Sequence, residues 1–253
     1  MGGKKRNECI VAFIDIIGSS SILCSDDRED IIQFVEGLSG IYGKLYEKYD
    51  MFFIKTFSDN LLIWSEDCSE AGVVSFINSL AYIQYEVLRE FKLILRGGVV
   101  IDDLHWDSIH DNDDFVIGKS IVRAYRLESK KAQYPRIILS NKDFQRFFPP
   151  DDNNDSVITD REGRMYVNYL QTTLKEEFPD EEMVAEHANI IKERISRNLV
   201  KIKDEEWEKI YLKDVWTIRY HNDFCARYEL PCIRFKEEKV SGMEKVIIKF
   251  DDT

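Results

Sequence analysis

The sequence predicts an α+β fold in which the elements follow one another in the order β-α-β-β-α-β. Three observations lead to this prediction: short apolar runs of strand length, two long stretches with apolar residues at helical spacing, and a polar turn between two adjacent strands. Two further helical stretches near the end of the chain predict an αα-hairpin. We therefore expect a sheet domain at residues 1–175 and a helical C-terminal extension, residues 176–253, packed on it.

Composition and charge argue against several classes of protein. The 253 residues include 47 acidic and 35 basic side chains, for a net charge of −12, which disfavours a nucleic-acid binder and a protein that binds anionic membranes. The five cysteines form no Cys-x-x-Cys pair, so we expect reduced thiols and a cytoplasmic protein. No apolar run reaches the roughly 18 residues that a transmembrane helix needs.

The first strand is predicted at residues 10–14, where a continuous apolar run is typical of a strand buried on both faces. Asp15 follows it directly, and a carboxylate in such a place needs a partner, for which a cation is the obvious choice. The turn that comes next contains Gly18, Ser19 and Ser20, small residues that can present backbone amides to phosphate oxygens.

A predicted hairpin supplies a second carboxylate. Its strands are expected at residues 51–56 and 61–64, and Ser58, Asp59 and Asn60 form the turn between them. Taken alone, either this turn or the one that begins at Asp15 can also be explained as an ordinary turn without a functional role.

Two long helices and a fourth strand complete the unit. The helices are predicted from the cap at Asp27 to about residue 48 and from the cap at Ser69 to about residue 88, and the strand at residues 93–101. This order is the ferredoxin-like arrangement, in which the first strand lies antiparallel to the far arm of the hairpin. Asp15 and Asp59 are then expected to converge, and two such carboxylates suit Mg²⁺ or Mn²⁺ ions that bridge nucleotide phosphates.

The second half of the chain continues with polar and helical stretches. Residues 102–114 are acidic and polar and are assigned no helix or strand, and Gly118 then starts a helix with Arg123 and Arg126 close to one face. Further elements are predicted at 135–140, 141–148, 166–170, 179–201 and 204–228, with the tail 240–250 either a strand or disordered.

Three of these stretches together resemble the motifs of the class III nucleotidyl cyclase catalytic domain, over roughly residues 10–170. Residues 13–18, Phe-Ile-Asp-Ile-Ile-Gly, are similar to the first metal motif of that family. Residues 55–59, Lys-Thr-Phe-Ser-Asp, resemble the second, with Ser58 where the family has Gly. Residues 116–128 resemble the helix that carries the transition-state arginine, here Arg126.

The resemblance implies a two-metal active site shared between the subunits of a homodimer. Asp15, Asp59 and the backbone carbonyl of Ile16 would hold two Mn²⁺ or Mg²⁺ ions per site, and Arg126 from the other subunit would stabilise the transition state. The residues that the resemblance assigns to the nucleotide are Phe13, Ile17, Gly18, Ser19, Ser20, Phe53, Lys55, Phe115 and Val122.

Two departures from the family pattern bear on the nucleobase. Val122 stands where the family usually has the Asn that orients the ribose, and Phe115 stands where purine cyclases have a polar group that reads the base. Lys55 matches a base-contacting Lys of adenylyl cyclases. The chain looks most like the pyrimidine cyclases of bacterial antiphage (Pycsar) systems, which implies conversion of UTP or CTP to cUMP or cCMP, with UTP favoured, as a signal to an effector protein.

Alternatives remain open at this point. The chain could be a purine cyclase of the same family, or a non-catalytic nucleotide-binding or dimerisation module that kept the fold. Arg126 could be an ordinary surface arginine of a helix, and Lys55 could extend from its strand into solvent. Retention of Asp15, Asp59 and Arg126 together argues for catalysis.

Overall fold

The computed structural model describes residues 7–49, 52–108, 114–149, 155–174, 180–201, 207–239 and 246–251. Its strands are β1 (Asn7–Ile17), β2 (Phe53–Phe57), β3 (Asn60–Ser65), β4 (Ile94–Ser108), β5 (Asp114–Gly118), β6 (Ile137–Leu139), β7 (Val157–Thr159), β8 (Met165–Val167), β9 (Phe235–Lys239) and β10 (Val246–Phe250). Its helices are α1 (Ser20–Leu23), α2 (Arg28–Lys48), α3 (Glu70–Phe91), α4 (Lys119–Lys131), α5 (Asn141–Phe144), α6 (Tyr169–Leu174), α7 (Glu181–Lys201) and α8 (Trp207–Arg227). No helix in these ranges is long and apolar enough to cross a membrane.

The main sheet confirms the predicted α+β, ferredoxin-like order. Its strands lie in the order β2-β3-β1-β4-β6-β8-β7, and β5 pairs with β4 outside this path. The central strand β1 is antiparallel to both β3 and β4. The predicted caps are also present, because the side chains of Asp27 and Ser69 accept hydrogen bonds from the first turns of α2 and α3.

The two faces of β1 have different coverings. Ile10, Ile14 and their neighbours on one face belong to the largest hydrophobic cluster, which includes apolar residues of α2 and α3. Val11 on the other face belongs to a smaller cluster with Ala124 of α4. This second face is the more open one, because a single short helix covers it.

A close approach between α4 and β4 depends on Gly98. A Cβ atom added there would lie 2.4 Å from the carbonyl oxygen of Ala124 and 2.8 Å from the amide nitrogen of Glu128. Both are backbone atoms of α4, so the helix itself would have to move. The position of every α4 side chain over the sheet therefore depends on this glycine.

The predicted αα-hairpin is present as α7 and α8, and it shares a core with the sheet domain. Buried His187 of α7 and His221 of α8 face each other with their Nδ1 atoms 2.9 Å apart. His187 Nε2 lies 3.1 Å from the hydroxyl of Tyr169, so the pair connects the hairpin to α6. The expected boundary at residues 175 and 176 lies outside the described residues.

The structure extends the fourth strand beyond its predicted bounds of 93–101. Strand β4 continues to Ser108, and β5 pairs with it, with Trp106 opposite Val116. Polar and apolar residues alternate in a strand with one exposed face, but the acidic residues of this stretch obscured that alternation. Trp106 packs towards Trp64, at a ring distance of 6.4 Å. Strand β7, at the edge of the sheet, was also missed.

The His187–His221 pair predicts a pH-dependent stability. Burial lowers the pKa of His221 from 6.5 to about 4, and burial also places the pKa of His187 well below 6.5. The unfolded chain therefore binds protons below pH 6.5 that the folded chain does not, and stability falls as the pH decreases towards 4. We expect His221 alone to lower the free energy of unfolding by about 2 kcal/mol between pH 7 and pH 5.

Urea unfolding of the wild type and His221→Gln at both pH values measures this effect. In His221→Gln, the free energy of unfolding should decrease by about 2 kcal/mol less than in the wild type between pH 7 and pH 5. His105→Gln, which removes an exposed histidine, is the matched control and should leave the dependence unchanged. An equal pH dependence in wild type and His221→Gln would show that His221 is not the buried neutral group described here.

The contact at Gly98 predicts a large effect of one methyl group. Gly98→Ala should destabilise the protein by about 1–3 kcal/mol, because the added Cβ overlaps backbone atoms of α4. Gly40→Ala is the control, since nothing lies within 4 Å of a Cβ at this exposed position in α2. It should stabilise the protein by about 0.5–1 kcal/mol, so thermal unfolding should move in opposite directions in the two variants.

Candidate active site

The two predicted carboxylates lie at the same end of the sheet. Asp15 stands near the end of β1, opposite Asn60 of β3. The amide of Ile16 donates a hydrogen bond of 2.9 Å to the carbonyl oxygen of Asp59 in the hairpin turn. Ser58 adopts a positive φ of 56°, as the first central residue of a tight two-residue hairpin turn commonly does. Asp15 and Asp59 are thus held on neighbouring segments by backbone contacts.

Each carboxylate has one engaged and one open oxygen. Arg96 Nε donates to Asp15 Oδ2 at 2.7 Å, and Asn60 Nδ2 donates to Asp59 Oδ1 at 2.9 Å. Asp15 Oδ1 and Asp59 Oδ2 accept no hydrogen bond from the described part of the chain. In that same part, no three His, Cys, Asp or Glu side chains form a metal-binding cluster. Two carboxylates with open oxygens fit Mg²⁺, which commonly takes one or two carboxylates together with substrate phosphates.

The turn after β1 is tightly hydrogen-bonded to itself. The hydroxyl of Ser19 donates to the carbonyl oxygen of Ile16 at 2.7 Å, and the Ser19 amide donates to the same oxygen at 3.3 Å. The role of the Ile16 carbonyl as a metal ligand stays a prediction, and it would require Ser19 to release that oxygen. Gly18 has a φ of +96°, and its amide and that of Ser20 have no acceptor among the described residues.

The residues expected to contact the nucleotide share one face of the sheet. Phe13 of β1 and Lys55 of β2 both stand opposite Leu62 of β3, so their side chains point to the same side. Asp15 and Phe53 each lie two residues from one of them along the same strand and therefore point to that side as well. The more open face of the sheet thus carries Asp15, Phe13, Phe53 and Lys55 together.

Helix α4 covers part of this face and presents Arg126 outward. Tyr125 contacts Phe13 edge to face, with a ring distance of 5.4 Å. Arg126 is exposed and forms no ion pair with the described residues, and Val122, one turn earlier, is also exposed. Within one subunit, Arg126 is therefore available to another molecule.

The structure separates the two arginines of α4. Arg123 binds Asp102 and Asp143, each at 2.7 Å, and joins α4 to β4 and α5. Arg123 is thus held by two carboxylates, whereas Arg126 forms no ion pair with the residues that the structure describes. Phe115 lies in β5 opposite Asp107 of β4, three residues before Gly118, the N-cap residue of α4.

Sequence reasoning missed two charged residues of the site. Arg96 Nε, besides binding Asp15, lies 2.8 Å from Glu128 Oε1, without the alignment of a hydrogen bond. Glu128 is buried, and burial raises its pKa while the Arg96 charge opposes that effect. The available signal was an arginine inside the apolar run of β4, where a cation needs a partner.

Comparisons with known proteins address the fold. No protein-family model and no curated protein matches the chain. Among solved structures, a dimeric guanylyl cyclase domain of the RhoGC fusion protein from the aquatic fungus Blastocladiella emersonii is similar to 64% of this chain over 93% of its own, at 18% identity and a TM-score of 0.50.

Two further solved structures match at slightly lower scores. The guanylate cyclase domain of RhGC from Catenaria anguillulae covers 65% of this chain and 96% of its own, at 16% identity and a TM-score of 0.48. The adenylyl cyclase CyaB from P. aeruginosa covers 64% of this chain and 94% of its own, at 17% identity and a TM-score of 0.49. At such identities the likeness concerns the fold, which is the mixed α+β fold of class III nucleotidyl cyclase catalytic domains.

Proposed function

We propose that this protein is a nucleotidyl cyclase that converts a pyrimidine nucleoside triphosphate, UTP in preference to CTP, into the 3′,5′-cyclic monophosphate and pyrophosphate. The observation that carries the proposal is the hydrogen bond of 2.9 Å from the Ile16 amide to the Asp59 carbonyl oxygen, directly beside Asp15. It holds the backbone of Asp59 beside that of Asp15, and each of these carboxylates has an oxygen that accepts no hydrogen bond from the described residues.

The side chains of the site match the demands of this reaction. The ribose 3′-oxygen attacks the α-phosphorus, and pyrophosphate leaves. Asp15 and Asp59 would hold two Mg²⁺ or Mn²⁺ ions, which lower the pKa of the 3′-hydroxyl and neutralise phosphate charge when bound. The turn amides of Gly18 and Ser20 would donate to phosphate oxygens, and Arg126 would stabilise the charge on the pentavalent phosphorus.

A homodimer would complete the site. Arg126 is exposed and forms no ion pair with the described residues, and its neighbours in α4 include apolar Val122 and Tyr125, which are 48% and 51% exposed. Exposed apolar residues clustered around an unpaired arginine are typical of a protein interface. The partner that we propose is a second copy, whose Arg126 would reach the carboxylates of the first.

The proposal of a pyrimidine rests on Phe115 and Val122, which stand where the family has polar residues, and on Lys55 and Phe53. Phe53 stacks on Trp64 at a ring distance of 5.2 Å and remains 44% exposed, which gives a broad apolar wall beside Lys55. Lys55 would donate to O2 or O4 of uracil or to N3 of cytosine. A purine cyclase is the second candidate, because the similar solved structures are guanylyl and adenylyl cyclases. An antiphage signal to an effector protein is proposed on the sequence resemblance alone.

Turnover of the four nucleotides tests the proposed activity. With Mn²⁺ present, the wild type should cyclise UTP fastest and CTP next, and Asp59→Ala should abolish turnover at unchanged thermal stability, because a hairpin-turn carboxylate contributes little to the core. Asp26→Ala, which removes an exposed carboxylate elsewhere, is the matched control. Faster cyclisation of ATP or GTP would replace the pyrimidine assignment with the purine one, and no turnover of any nucleotide would support a non-catalytic module.

Mixing two inactive variants tests the shared site. Asp59→Ala and Arg126→Ala should each be inactive, and their mixture should regain up to about a quarter of wild-type activity if subunits exchange at random, since half of the dimers are mixed and each has one intact site. Lys130→Ala, an exposed α4 cation, should be active by itself. Absence of recovery in demonstrated heterodimers would mean that Arg126 does not act across the interface.

A further inference from the structure

The C-terminal hairpin is anchored at the end of the sheet where Asp15 lies. Buried Arg194 of α7 donates to the carbonyl oxygen of Lys92 at 2.7 Å, just before β4 begins. The same guanidinium binds Asp214 of α8 at 3.1 Å. Thr217, one turn further along α8, lines a small cavity with Leu95 of β4. These contacts fix α8 beside the first residues of β4.

The anchor places Lys213 next to the candidate site. Lys213 directly precedes Asp214 and is half-buried. The charges that act on it are those of Arg96, Asp15, Arg194 and Asp214. The charge of Lys213 also acts on Glu128, the buried carboxyl beside Arg96. A residue of the extension therefore lies within electrostatic reach of the carboxylate that ends β1.

The ammonium of Lys213 has no partner of its own in the described part of the chain. It forms no hydrogen bond or ion pair there, whereas Asp15 is bound by Arg96 and Asp214 by Arg194. Burial, with the like charge of Arg96 next, lowers the pKa of Lys213. Asp15 and Asp214 attract this cation without contacting it, because each is bound by an arginine, and an anion in direct contact with Lys213 would offset the cost of its burial.

We propose that Lys213 binds the phosphate groups of the nucleoside triphosphate held at Asp15 and Asp59, as a substrate-positioning residue supplied by the C-terminal extension. This inference rests on the proposed function for the identity of the ligand. The chemistry recognised is a polyphosphate, whose oxygens could contact the Lys213 ammonium directly while Asp15 stays bound to Arg96. The interaction strengthens in a half-buried site, where water screens charges less than at the surface.

A purely structural role of Lys213 predicts a different result. If Lys213 served only to pack its aliphatic stem against β4, a neutral side chain of similar shape would replace it without loss of ligand binding. Lys213→Met keeps the length of the stem and removes the charge, and Lys213→Arg keeps the charge. Lys209→Ala removes an exposed cation one turn earlier in α8 and is the matched control.

Binding of inorganic triphosphate in the presence of Mn²⁺, measured by calorimetry on the full chain, tests the proposal. Lys213→Met should raise the Kd about tenfold or more, since a hydrogen bond to a charged group is commonly worth a factor of that size. The Kd of Lys213→Arg should stay within a few-fold of the wild-type Kd, and the Kd of Lys209→Ala should equal the wild-type Kd. In steady-state turnover, Lys213→Met should raise KM for the nucleotide with the same ranking of variants.

The outcomes separate this inference from the proposed function. An unchanged Kd for inorganic triphosphate in folded Lys213→Met, or no binding to the wild type, overturns the role of Lys213. If Asp59→Ala abolishes cyclisation while Lys213→Met leaves KM unchanged, the cyclase assignment stands and the Lys213 inference fails. If no nucleotide is cyclised but triphosphate binding depends on Lys213, the anion site stands and the cyclase assignment fails.

Discussion

The ion pair between Arg96 and Asp15 is the interaction on which the rest of the site depends. One guanidinium lies 2.7 Å from Asp15 and 2.8 Å from Glu128, so it connects the ends of β1 and β4 with α4. Removing one partner of a buried pair commonly costs about 3–5 kcal/mol, although Asp15 and Arg96 keep some solvent contact and would cost less. Because Arg96 occupies a single oxygen of Asp15, a cation could bind the other oxygen without breaking the pair.

The contact between Arg96 and Glu128 also explains why α4 has two distinct faces. Glu128 reaches Arg96 only because α4 lies against the backbone of β4 at Gly98, where a side chain would collide with the helix. Ala124 faces the sheet for the same reason. Arg126, two residues from Glu128 along a helix of 3.6 residues per turn, must then lie on a different side, where it is exposed.

Local patterns predicted much of the fold and part of the site. The apolar runs of β1 and β3, the caps at Asp27 and Ser69 and the hairpin turn at Asp59 are encoded within a few residues each, and all are present. Arg96 was missed because its partner Asp15 is 81 residues away and no local pattern joins them. The extension of β4 was missed because acidic residues on its exposed face resemble a loop in sequence.

The C-terminal helices belong to the same body as the site, although their sequence predicts only an appended hairpin. Arg194 holds them to the carbonyl of Lys92, and His187 holds them to Tyr169 at a separate point. Two anchors prevent the hairpin from pivoting about either one, so a displacement of α8 would move the start of β4 with it. Arg96 lies four residues after Lys92, and any such displacement would therefore reach the carboxylate of Asp15 through the ion pair that orients it.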